Sequence, residues 1–365
     1  MPNETLISAQ ILPLGGTDND PLSYISRIFC GYFLRDRFNK LNKYSPYRVS
    51  NKEDQLVFPK NTNFSSLMDN RAQKLLDTNS SIGILYSGGI NSIGVCSALL
   101  RNIPSSQEDR LTIVYNSESF KENPAFYDFL KKTKVNFYFL EEDYLREDLE
   151  NLEFDLLTSG FCGDQIFGVD TLLIHPGIVE SSFKDGLTTA FKAKLGLNLS
   201  QKVFENFAEI FQNYANDFNV HLDSFAKFTW LFNWAIKYGH TRDIPNAWTI
   251  ETPLKNKGNA FFDSEVFQSW SLFNHEELSS RNWIKFPELY KKELKDYISE
   301  YFIESKYLPL KTKQDSLYFP QQEPGKIILS TDQGFKKSSL AINKDCGQCN
   351  LKFFAKIRKY FKKDF

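Results

Sequence analysis

The sequence predicts an α/β fold: an open parallel sheet with helices on both faces, then a mainly helical C-terminal half. Three observations carry this reading. Short apolar runs bounded by turn formers recur at IGILY (82–86), LTIVYN (111–116), VNFYFL (135–140) and FDLLTSG (154–160). Segments of helical periodicity lie between them. Past residue 180 the helical periodicity continues without obvious strand runs. Strands buried on both faces read as short apolar runs, and alternating them with helices builds a parallel sheet.

The elements follow in order. Residues 1–70 form an N-terminal segment with aromatic clusters (SYISRIFCGYFLRDRF), read as a short helix near 22–40 and a loop. The core spans 71–180 and opens with a helix around Arg71 to Leu76. A helix at 91–101 (NSIGVCSALLR) follows the first apolar run. NPAFYDFLKKT (123–133) reads as a second helix, with Phe126, Phe129 and Leu130 at helical spacing and Pro124 in its first turn. DYLREDLENL (143–152) reads as a third. The helical portion spans 181–345 and includes QKVFENFAEIFQNYANDF and DSFAKFTWLFNWAIKYG. Residues 346–365 hold CGQC and a basic, aromatic tail, LKFFAKIRKYFKKDF.

Composition narrows the function classes. With 365 residues there is material for a sizeable core. A formal net charge of -1 gives no overall electrostatic case for nucleic acid. No run approaches the ~18–20 apolar residues of a membrane span, and the N-terminus lacks the basic start of a secretion signal. Five cysteines, odd in number and mostly scattered, fit a reducing cytoplasm. The four histidines show no metal-ligand spacing.

The chemistry gathers at SGGINS (87–92), where an apolar strand gives way to a helix. In an open parallel sheet, ligands bind beyond the carboxyl ends of strands. Gly88 and Gly89 let backbone N–H groups turn toward a phosphate, Ser87 and Ser92 add hydroxyl donors, and a helix N-terminus favours negative charge. Two glycines after a strand also make an ordinary tight turn.

The loop resembles the SGGxDS loop of the PP-loop ATP pyrophosphatases, which split ATP between the α and β phosphates and transfer AMP to a substrate oxygen. Three further stretches resemble the synthetase half of asparagine synthetase, in the same order: TSGFCGDQIFG (158–168), ETPLKNKGNAFFDSEVFQSWSL (251–272) and ELKDYISEYFIESKYLPLKTKQDS (293–316). The resemblance covers about residues 71–320. It implies that Ser87, Gly88, Gly89 and Ser92 hold the leaving pyrophosphate. Val114 would line the adenine pocket with its backbone, and Ser159 and Gly160 would contact the nucleotide. Asp164 would hold Mg²⁺, and Lys313, with Lys311 as its neighbouring alternative, would stabilise charge developing at the acyl-adenylate. The implied activity is an ATP-dependent, AMP-forming carbon–nitrogen ligase acting on a small molecule, a peptide or a nucleobase.

Departures matter as much. Asparagine synthetases carry a glutaminase domain with an N-terminal Cys; here Met1 precedes Pro2 and only about 80 residues precede the loop. Ammonia or an amine would then come from solution, from the substrate or from a partner. Phe161 stands where the synthetases usually have an acidic residue. Asn91 replaces the usual Asp and offers Mg²⁺ only a neutral carbonyl oxygen, hence a weak ligand. These changes raise a second reading, a nucleotide-binding subunit or sensor with impaired catalysis. A third is a deazaguanine or tRNA-modification enzyme of the queuosine type, which the terminal CGQC suggests. Cys346 and Cys349 supply only half of a zinc site; Cys162 or a distant His would have to complete it, and reduced cysteines in a turn are the plainer reading. The tail reads as a docked amphipathic helix in preference to an RNA contact.

Overall fold

The computed structural model describes residues 5–9, 37–38, 63–140, 152–168, 178, 180–195, 201–238, 241–242, 254, 257–282, 286–302, 326–331 and 334–339. Its centre is a five-stranded, wholly parallel sheet. The strands are β2 (Ile82–Leu85), β3 (Leu111–Tyr115), β4 (Asn136–Phe139), β5 (Leu156–Ser159) and β6 (Gly258–Ala260), in spatial order β4-β3-β2-β5-β6. The chain steps outward from β2 through β3 to β4, then returns to lay β5 on the other side of β2. The reversal of strand order therefore lies between β2 and β5.

Local sequence explains the first helices. In α1 (Phe64–Thr78), Asn63 caps the N-terminus by accepting from the Ser65 N–H at 3.0 Å. Phe64, Leu67, Met68, Ala72, Leu75 and Leu76 are buried along one stripe. In α2 (Ile90–Asn102), everything from Ser92 to Leu100 is buried, because the helix lies between the sheet and two other helices. Two short helices, α3 (Ser117–Glu122) and α4 (Pro124–Leu130), follow β3; Asn116 and Asn123 cap them. Side chains alternate across the sheet. Ile82, Ile84, Leu111, Ile113 and Leu156 enter a large apolar cluster with residues of α1, α2 and α4. Leu85, Val114 and Leu157 enter a smaller one with Leu140, Leu152, Phe154 and Leu254. The helix expected at 143–152 falls almost wholly outside the described residues.

Beyond β5 come α5 (Gly163–Phe167), α6 (Phe183–Leu195), α7 (Gln201–Asn216) and α8 (Phe225–Leu231). The last runs into a π-helical turn, Phe232–Lys237. Trp230 and Trp234 stack at 5.3 Å across that junction. After β6 come α9 (Glu265–Phe273), α10 (His275–Ser280) and α11 (Lys292–Tyr301). Hydrogen bonds fix the helices that frame the site. Trp230 Nε1 donates to Ser271 Oγ at 3.1 Å, and that hydroxyl donates to the Ile166 carbonyl of α5 at 2.6 Å. On α11, Tyr297 Oη donates to Asp69 of α1 at 2.6 Å, and Arg101 of α2 pairs with Glu300 at 2.9 Å.

The second half is mainly helical but also contains strands that the sequence did not show: β6 lies within 251–272, and β7 (Lys326–Thr331) and β8 (Gly334–Ser339) pair antiparallel, with β7 also pairing β1 (Thr5–Ala9). The helix beginning near Arg71 starts seven residues earlier, at Phe64, where Asn63 supplies the cap. The expected helix near 22–40, apart from Arg37 and Phe38, and the 346–365 tail lie outside the described residues. Among the described residues, no helix is long and apolar enough to cross a membrane.

Candidate functional site

The loop after β2 and the loop after β5 meet at the point where strand order reverses, the usual crevice of an open α/β sheet. Gly88 takes φ of +75°, and a Cβ there would lie 2.2 Å from the Ser119 carbonyl oxygen. Only glycine fits on both counts. The loop is closed by hydroxyls. Ser92 Oγ donates to the Gly89 carbonyl at 2.8 Å, lies 3.1 Å from Ser87 Oγ and accepts from the Ser87 N–H at 3.2 Å. Ser87 Oγ accepts from the Gly89 N–H at 3.2 Å. The intrahelical ladder of α2 starts with the Ile93 N–H donating to the Gly89 carbonyl at 3.0 Å, so the amides of Ile90, Asn91 and Ser92 precede any i−4 partner. That first turn is the positive end of the helix.

Asn91 and Asp164, 73 residues apart, come together: Asn91 Nδ2 donates to Asp164 Oδ1 at 3.3 Å. The close approach of Gly163, the first residue of α5, to Asn91 makes the contact. A Cβ on Gly163 would fall 2.6 Å from Asn91 Cγ. A Cβ on Gly160 would lie 2.8 Å from the Asn91 carbonyl carbon. Ser159 is buried at the end of β5, its hydroxyl accepting from the Phe161 N–H at 3.4 Å. Val114 reaches the carboxyl end of β3, but it is fully buried and its carbonyl accepts from the Tyr86 N–H at 2.9 Å. Lys311, Lys313, Cys346 and Cys349 lie outside the described residues.

The third member of the cluster is Lys291, which the sequence reading missed. Its Nζ donates to Asn91 Oδ1 at 2.7 Å and makes a hydrogen-bonded ion pair with Asp164 Oδ1. The Lys291 side chain is 2% exposed and that of Asp164 50%, so the ammonium is enclosed while one flank of the carboxylate stays open. Nζ also sits 5.1 Å from the Tyr290 ring, within cation–π range. The protein packed around Asp164 works to raise its pKa. The Lys291 charge, hydrogen bonds from Lys291 and Asn91, and the charge of Lys237 outweigh that and hold it below the usual carboxylate value. Burial works to lower Lys291; the Asp164 charge, with Tyr290, outweighs it and raises the ammonium above its ordinary value.

Mg²⁺, which the resemblance implies, fits this donor set poorly. It favours near-octahedral hard oxygens, usually including carboxylates. Here the Asn91 oxygen is already an acceptor for Lys291, and Asp164 Oδ1 receives two donors. Among the described residues, no group of three or more His, Cys, Asp or Glu side chains is placed to hold a metal ion. What the arrangement offers an anion is a helix N-terminus, held in shape by a closed hydroxyl loop, and an enclosed ammonium.

Local sequence gave little sign of Lys291. It stands 200 residues from Asn91 in the doublet Lys291–Lys292, whose second member is a surface partner of Asp296 at 2.6 Å. Its backbone is the distinguishing feature: φ +48°, ψ +46°, immediately before α11. No protein-family model matches the chain, and no curated protein matches it in sequence.

Proposed function

We propose that the crevice between β2 and β5 is a nucleotide site and that the chain is an ATP-dependent, AMP-forming carbon–nitrogen ligase of asparagine-synthetase-like type. One observation carries the reading: Ser87–Ser92 forms a closed hydroxyl loop at the N-terminus of α2, beside Asp164, where strand order reverses. In such a reaction a substrate carboxylate oxygen attacks the α phosphorus of ATP and pyrophosphate leaves. An amine then attacks the acyl carbon, giving the amide and AMP. The first-turn amides of Ile90, Asn91 and Ser92 would receive the departing phosphates, with the hydroxyls of Ser87 and Ser92 holding the loop in shape. Lys313 remains the proposed stabiliser of the adenylate. The test is pyrophosphate release from ATP with pooled carboxylates and amines, in wild type and in Lys313→Ala. Release that depends on a carboxylate and falls in the variant supports the ligase; equal release in both removes Lys313 from the mechanism.

A second reading, nucleotide binding without turnover, is favoured by a specific observation. Asn91, Asp164 and Lys291 satisfy one another, leaving one open carboxylate flank where the family has a two-carboxylate metal site. ATP binding without pyrophosphate release from any pool would decide for this reading.

A further inference from the structure

We propose that the Lys291 ammonium is the resident cation of this crevice, and that the site takes a polyphosphate anion without requiring a divalent metal ion. The inference rests on the crevice being a nucleotide site and specifies how its charge is balanced.

Three independent observations point there. The first is the charge count. An aspartate at position 91 would leave the trio with two negative charges and one positive. With Asn91 the trio carries one of each, Asp164 and Lys291, and is neutral before any ligand arrives. Lys237, whose charge also acts on Asp164, adds a further positive charge nearby. Buried Glu122 packs against the loop, its Cβ 2.7 Å from where a Cβ on Gly88 would stand.

The second is hydrogen-bond direction. Asn91 turns its carbonyl oxygen to Lys291 and its amide to Asp164, so it links cation to carboxylate. That oxygen is then already an acceptor for Nζ, where metal ligation would require Lys291 to move away. An ammonium has three donors and no acceptor. Two of its donors go to Asn91 and Asp164 and Tyr290 is a further hydrogen-bond partner, so the ammonium acts on an incoming anion through its charge.

The third is placement. Lys291 is 2% exposed yet borders the half-exposed Asp164, so its charge lies under the crevice floor where solvent screens it weakly. Its left-handed backbone is an unusual conformation for a non-glycine residue. An ammonium just before the first turn of α11 also runs against that helix's own dipole. Neither feature favours the fold locally; both put Nζ between Asn91 and Asp164.

The test uses the whole chain. ATP affinity is measured by titration calorimetry with excess EDTA and with excess Mg²⁺, in wild type, Lys291→Met and Asn91→Asp. Circular dichroism checks that each variant folds. Wild type should bind with dissociation constants within about threefold in the two buffers. Lys291→Met should lose about tenfold or more in EDTA. Asn91→Asp, which leaves Lys291 in place, should bind about tenfold more weakly in EDTA than in Mg²⁺. Wild-type binding that appears only with Mg²⁺ overturns the inference and leaves the nucleotide site standing. Binding in neither buffer overturns the nucleotide site itself. A second readout needs no nucleotide: electron paramagnetic resonance of Mn²⁺ mixed with the chain. Wild type should leave the ion in its free form, whereas a bound signal that disappears in Asp164→Asn overturns the inference.

Discussion

Replacing Lys291 by Met keeps an unbranched side chain one atom shorter and removes its charge, so it reports what the ammonium does for the fold. The variant loses one hydrogen bond to Asn91 at 2.7 Å and one ion pair with Asp164. Breaking a fully buried pair costs roughly 3–5 kcal/mol, because the remaining charge is stranded. Asp164 is half exposed, so water recovers part of that loss. Not having to desolvate an ammonium recovers more. The balance is a destabilisation of about 2–3 kcal/mol near neutral pH. The pH dependence has a definite sign. Asp164 has its folded pKa depressed, so its contribution is present above the unfolded value, about 3.9, and is lost as pH falls through the folded value. Lys291 has its folded pKa raised, so its contribution is present below about 10.4 and is lost as pH rises through the folded value. Urea unfolding of both chains across pH should therefore give a difference that is full at pH ~7 and shrinks below pH ~4. A difference under about 0.5 kcal/mol at neutral pH, or one unchanged in acid, would refute the reasoning.

Further expectations concern the surroundings of the site. Gly88→Ala forces a left-handed alanine against the Ser119 carbonyl; urea midpoints should fall by the equivalent of about 2–4 kcal/mol, and a neutral result would show that the loop conformation is wrong. Tyr86→Phe deletes a buried hydroxyl that has no hydrogen-bond partner. It should leave thermal stability equal or higher, whereas a loss above about 1 kcal/mol would reveal a partner for that oxygen. Cys96 is fully enclosed, and burial pushes its thiol well above the ordinary range. Its modification by a thiol reagent should proceed only as fast as the fold opens, accelerating with urea; rapid labelling of the native chain would contradict that burial.

The parts of this fold that were legible share one property: their signal is local. Four apolar runs each formed a strand within two residues of the expected bounds; β2 and β5 are buried throughout, as central parallel strands must be, whereas β4 is an edge strand with Asn136 and Phe139 exposed. Asn91 and Asp164 were each singled out through the resemblance, and the loops after β2 and β5 bring them within hydrogen-bond distance. β6 was not legible, because Gly-Asn-Ala has no strand preference; its backbone follows β5, and the side chain of Asn259 accepts from Arg71 at 2.8 Å. Helical periodicity could not show the π-helical turn in Phe232–Lys237, because one extra residue per turn shifts the pattern without erasing it. Lys291 escaped because its meaning lies in Asn91 and Asp164, both more than a hundred residues away.

Backbone strain gives an independent argument that this cluster is a site and not simply well-packed polar residues. Three non-glycine residues among those described have positive φ: Cys162, Asn219 and Lys291. Asn219 needs no special reason, since asparagine tolerates that region. Cys162 caps α5, the helix that carries Asp164, and Lys291 immediately precedes α11. Gly88, also at positive φ, lies two residues before α2, which carries Asn91. The three helices converging on the cluster are thus each entered through a left-handed residue, and at two of them the residue type is unfavourable by roughly 1–2 kcal/mol. Strain arising from chance packing would be scattered across the fold. Strain concentrated at the entrances of three helices that share one hydrogen-bonded trio is what a site held for geometry, at some expense in stability, would show.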